Sequence, residues 1–123
     1  MKQILMLLVL LANLAVAHEQ SPAIIMLEKS YSQGILEGKL KLGNIRNDAE
    51  YFRLFVVDKD GNDVPFASTK KVIHLPEGRE NISFFVRDED VEKIDYVCTK
   101  SIFVKKESGT YPTSSKICSR VSR

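Results

Sequence analysis

Short apolar runs broken by Gly, Pro, Asn and Asp occupy most of this chain, which is the punctuation of an all-β domain. Ala23 to Leu27, just after Pro22, is apolar throughout and suits a first strand. Leu36, Leu40 and Leu42 alternate with Glu37, Lys39 and Lys41, giving one face for a core and one for water. Tyr51 to Val57 is apolar on both faces, with Phe52, Leu54 and Val56 on one and Tyr51, Phe55 and Val57 on the other, so it predicts a central strand. Asp58 to Asp63 reads as a tight turn. Val64 to Ala67 is short and contains Pro65, which places it at a sheet edge. Val72 to Leu75 leads into a second turn at Pro76-Glu77-Gly78, and then Ile82, Phe84 and Val86 alternate with Ser83 and Phe85. Ile94 to Lys105 is expected to be the longest strand, and Lys116 to Val121 closes the pattern. Seven or eight short antiparallel strands at this spacing, with no convincing helix, predict a single β-sandwich.

The N-terminal residues follow a different rule. Lys2 precedes an apolar stretch, Ile4 to Ala12, that is too short to cross a bilayer, and Ala15-Val16-Ala17 has the small-x-small spacing of a signal-peptidase site. A signal peptide over residues 1–17 and one domain over residues 18–123 are therefore expected, with export to the periplasm or the medium. No later stretch has the apolar length of a membrane span.

Charge narrows the partners. The whole chain carries a net charge of +2, and loss of Lys2 takes it to +1, too weak a balance to favour nucleic acid or an anionic membrane. The signs are unevenly placed: Asp88, Glu89, Asp90 and Glu92 cluster ahead of the last strands, while Lys100, Lys105, Lys106, Lys116, Arg120 and Arg123 crowd the C-terminal fifth. Both clusters read as solvated surface. The only cysteines are Cys98 and Cys118; in an exported chain such a pair predicts one disulfide. If Glu107-Ser108-Gly109 is the tip joining the last two strands, a hairpin centred on Ser108 sets Cys98 directly opposite Cys118.

Two resemblances add to this. Tyr96-Val97-Cys98, preceded by Asp88-Glu89-Asp90, resembles the start of the sixth strand of immunoglobulin-like domains, where an acidic turn leads into Tyr-x-Cys. The chain departs from the antibody-type pattern in having no upstream cysteine and no tryptophan. A second resemblance covers more residues. Leu40-Lys41-Leu42-Gly43-Asn44, Phe52 through Gly61, Leu75-Pro76-Glu77-Gly78 and Ile82-Ser83-Phe84-Phe85-Val86 look like the N-terminal domain of periplasmic pilus-assembly chaperones. That resemblance implies an immunoglobulin-like sandwich and a protein partner held by strand exchange. In the family a second domain anchors the subunit's terminal carboxylate, and the matching residues here cover the first domain only. Small single-domain periplasmic factors that restrain amyloid-forming subunits are a related analogy.

Candidate chemistry is thin. His18 and His74 are the only histidines, and no serine, cysteine or carboxylate beside either makes a nucleophile elbow or metal motif, so no enzyme and no cofactor is expected. Asp58, Asp60, Asn62 and Asp63 look like a calcium loop, but Gly61 comes too early and Thr69 stands where the bidentate acid belongs; a hairpin turn accounts for them. Asn81-Ile82-Ser83 is an N-glycan acceptor if the source is eukaryotic. The function expected is an exported, non-catalytic module that binds another protein, as a chaperone or assembly accessory, through an exposed sheet edge. The candidate edges are Ala23, Ile24, Ile25, Met26 and Leu27 at one end of the chain, and Ile117 and Val121 at the other. An alternative is a small copper carrier, because a mature N-terminal His18 offers its amine and imidazole to Cu(II) with His74 as the only other imidazole. A third is a secreted effector or inhibitor using the C-terminal lysines.

Overall fold

The computed structural model describes residues 18–105 and 114–122. Residues 1–17 and the expected hairpin tip at Glu107-Ser108-Gly109 lie outside that range. Among the described residues, ten strands make two five-stranded sheets. Sheet A is built from β1 (Glu19–Ser21), β3 (Glu28–Lys29), β4 (Ile35–Asn44), β6 (Ala67–Ser68) and β8 (Gly78–Arg87). Its order is β1-β4-β8-β6, with β3 also pairing with β4. Sheet B runs β2 (Ile24–Met26), β10 (Lys116–Ser122), β9 (Tyr96–Ile102), β5 (Tyr51–Val57) and β7 (Val72–His74). The two layers make an all-β immunoglobulin-like sandwich.

Alternation in the sequence decides which side chains meet between the layers. Sheet A contributes Leu40 and Leu42 from β4 and Ile82, Phe84 and Val86 from β8; sheet B contributes Phe52, Leu54 and Val56 from β5 and Val97 from β9. Each such side chain, when fully buried, is worth roughly 1.5–3 kcal/mol in apolar transfer. Gly38 sits on the same inward row of β4, directly opposite Phe84 in the ladder. The Phe84 ring lies where a Cβ on Gly38 would project, so the glycine makes room for the aromatic. The Asp58 carboxylate closes the β5 turn by accepting hydrogen bonds from the backbone N–H of Asp60 and of Asn62, both 2.9 Å. Those bonds hold its pKa below the usual carboxylate range.

The cysteines meet as the pattern requires. Cys118 pairs with Cys98 across β9 and β10, with Cα atoms 4.1 Å apart and a disulfide between them. Several boundaries differ from expectation. The longest strands are β4 and β8, ten residues each, rather than Ile94 to Lys105. A 3-10 turn over Asp88–Lys93 takes up the chain before β9, and Ile94 ends it as a fully buried plug. Phe103, in the left-handed region at φ 53°, marks the other end. A strand preceding Pro22, β1, has no apolar run to betray it. Val64 is likewise a buried plug, and the short edge strand begins at Ala67.

Candidate functional site

The first and last described parts of the chain meet at one margin of the sandwich. At Ser21-Pro22 the hydrogen-bond partner changes: β1 pairs antiparallel with β4 in sheet A, and β2 pairs parallel with β10 in sheet B. Arg120 N–H donates to Ala23 C=O (2.9 Å) and Leu27 N–H to Ser122 C=O (3.5 Å). In a parallel ladder this turns the backbone groups of Ala23, Ile25 and Leu27 toward β10 and those of Ile24 and Met26 away from the sheet. Ile25 is buried, whereas Ile24 and Met26 are 58% and 64% exposed. An outer strand with open amides and apolar outward side chains is a template for another strand.

The two candidate edges are therefore neighbours on one sheet margin rather than two separate sites. Ala23 to Leu27 is the edge. Ile117 to Val121 is not an edge along its whole length, which corrects the expectation: β2 covers Arg120–Ser122, and Val121 is buried opposite Ile25. Among the described residues no strand covers the first half of β10 on that side. Ser101 N–H bonds to Ser115 C=O and Val121 N–H to Asp95 C=O, so the odd-numbered positions of β10 face β9 and the amides of Lys116 and Cys118 face outward.

Behind this margin lies a buried polar seam that the sequence did not disclose. The inner face of β9 and β10 carries Thr99, Ser101 and Ser119 in place of aliphatic side chains. His18 and Gln20 reach across from the β1 side to fill it. The Thr99 hydroxyl donates to Gln20 Oε1 (2.6 Å), so it accepts from His18 Nε2–H (2.8 Å). That assignment leaves His18 Nδ1 as acceptor from the Ser115 hydroxyl (2.6 Å). Ser115 Oγ also accepts from Arg46 Nη1 (3.1 Å), which donates to Ser101 Oγ at the same distance. The Arg46 guanidinium, nearly buried, grips Asp48 through two 2.7 Å bonds that hold the Asp48 carboxyl below its ordinary pKa. Gln20 Nε2 donates to Val97 C=O (3.1 Å) and Ser119 Oγ (2.7 Å), and Ser119 donates on to Pro22 C=O (2.6 Å). Among the described residues no buried side-chain N or O lacks a partner.

This geometry bears on the copper alternative. His18 is 2% exposed with both ring nitrogens in hydrogen bonds, and its ring lies 4.9 Å from that of Phe52, an inward residue. His74 is exposed on β7 and stacks on Tyr51, an outward residue. The two imidazoles occupy opposite faces of sheet B and do not converge. Among the described residues no group of three or more His, Cys, Asp or Glu is placed to hold a metal ion, and no helix there is long and apolar enough to cross a membrane.

The architecture so built is an immunoglobulin-like β-sandwich of the kind found in periplasmic pilus chaperones and in a PapD-like domain. Solved structures with this fold superpose on most of the chain. A chain of the Salmonella enterica SafA pilin–SafB chaperone complex matches 87% of it with a TM-score of 0.62 at 16% identity, and the E. coli chaperone DraB matches 86% with 0.61 at 18%. A PapD-like domain of human CEP192 matches 87% with 0.51 at 12%. The chain spans about half the length of the bacterial structures, 53% and 54%, and 83% of the human domain. No family model matches the sequence, and no curated protein matches it. The likeness, at these identities, is one of fold, and it agrees with the resemblance carried by the Leu40, Phe52, Leu75 and Ile82 segments.

Proposed function

We propose that this protein is an exported, non-catalytic module that binds another protein by pairing a partner strand with the β2–β10 margin of sheet B. The observation that carries the proposal is the margin itself: open backbone groups at Ile24 and Met26, apolar side chains outward at both, and beside them a stretch of β10 that no strand covers among the described residues. Export is supported by the signal-like residues 1–17 and by the Cys98–Cys118 disulfide, which suits an oxidising compartment. SafB is a chaperone whose structure was solved with a pilin. On the same pattern, a subunit with a missing or exposed strand is the kind of partner this edge would hold. The test is recovery of the tagged protein from its native host, alone and as Met26→Pro. The Met26 amide points away from β10, so proline removes an outward donor while sparing the β2–β10 ladder. A stoichiometric partner that is lost in Met26→Pro is the expected result. A partnerless monomer would refute strand pairing here, and a partner held equally well by the variant would refute pairing along β2.

A further inference from the structure

A row of like charges crosses the outer face of sheet B and ends at this same margin. Arg53 on β5 stands directly opposite Lys100 on β9, and Lys100 directly opposite Lys116 on β10. All three are exposed. Like charges facing each other across strands destabilise a sheet, and carboxylates interleaved among them would remove the penalty. No ion pair relieves it: among the described residues none involves Arg53, Lys71, Lys100, Lys116 or Arg120. Several carboxylates are engaged elsewhere, Asp90 with Arg87 and Lys93, Glu89 with Arg87, Glu80 with Lys70.

Aromatic rings keep the cations in place. Lys71 Nζ lies 4.7 Å from the Phe66 ring centre and Lys116 Nζ 5.4 Å from that of Phe55. Arg53, Phe55, Pro65, Phe66, Lys71 and Lys100 line a shallow groove of about 540 Å³ that contains a single acid, Asp63. Two residues beyond Lys116 along β10, Cys118 adds no charge; two further on, Arg120 extends the basic face to the end of the strand, opposite Ile24.

We infer that the partner segment taken up at the β2–β10 margin is an acidic one, an extended strand carrying carboxylates on the face it shares with Lys116, Lys100 and Arg53. The inference rests on the strand-pairing reading above. A strand laid beside β10 brings its outward side chains within about 5 Å of Lys116, the distance at which opposite charges across strands attract. A polyanion such as nucleic acid fits less well, because a net charge of +2 over the whole chain gives no long-range field to collect it. The row is a local complement to a few carboxylates.

The test uses the disulfide-bonded protein and two short fluorescent peptides, one alternating Glu with Val and one alternating Lys with Val, followed by anisotropy. The acidic peptide is expected to bind about tenfold more tightly at low salt, with the advantage shrinking as salt is raised. Lys100→Glu puts a carboxylate between Arg53 and Lys116, so it should raise Tm by about 2 °C while abolishing the acidic preference. A structural role for Lys100 would lower Tm instead, and that result overturns the inference. So does equal binding of the two peptides, or no binding of the acidic one at millimolar concentration. Equal binding that Met26→Pro abolishes would overturn acid recognition while leaving strand pairing intact. Tight binding of anionic lipid vesicles in preference to the acidic peptide would also refute it, by naming a different occupant.

Discussion

On balance the surroundings of His18 favour its neutral imidazole. Burial lowers its pKa below the ordinary 6.5, a hydrogen bond to the Thr99 carbonyl works the other way, and the nearby Arg46 charge lowers it further. The unfolded chain therefore takes up a proton at this position more readily than the fold does. Stability is complete above about pH 6.5 and falls as the pH drops through the lowered value. Urea midpoints should decline between pH 7.5 and 5.5 in the native protein, and His18→Gln should flatten that decline while lowering the midpoint at neutral pH. A flat profile in the native protein would show that the seam tolerates the imidazolium. The sequence suggested a different use of this residue, a free terminal chelate. Nothing near His18 in the chain hints at burial, because its partners Thr99 and Ser115 come from the far end. The same distance hid Arg46, whose guanidinium joins Asp48 nearby to Ser101 and Ser115.

Strands were legible wherever one face had to be dry. Tyr51–Val57 has the bounds its two-faced apolar pattern predicts, and Ile82, Phe84 and Val86 all turn inward. β1 was not legible, since Glu19, Gln20 and Ser21 earn their place through the ladder with β4 and through side-chain hydrogen bonds, with no apolar signal. Edge status was misjudged on β10 because alternation reports which face is buried and says nothing about which flank is covered. Gly38 makes the element-level energetics testable. A methyl group there would overlap the Phe84 ring, and Phe84 is fully buried. Gly38→Ala should destabilise the protein by about 1–3 kcal/mol in urea unfolding. An equally stable variant would mean that the β4–β8 pair flexes enough to absorb a methyl.

At the scale of the molecule, a modest core is supplemented by one covalent link. The disulfide closes a loop with a sequence separation of 20, which the chain-entropy treatment values at about 3 kcal/mol. Replacing both cysteines, as Cys98→Ala with Cys118→Ala, should reduce stability by that amount in guanidinium unfolding; a negligible loss would place the stabilisation elsewhere. Pairing of these residues was readable from hairpin symmetry alone, whereas the convergence of the two margin strands needed the whole topology. That convergence has a consequence for biogenesis. Among the described residues β2 finds its ladder partner in β10, so Ile24–Met26 cannot be seated in sheet B until a segment far downstream of it has been made. Contacts between such distant parts of a chain form slowly. During synthesis, Ile24, Ile25 and Met26 stay without their ladder until β10 follows, and a nascent molecule exposes to its surroundings the very strand that the folded one carries at its rim.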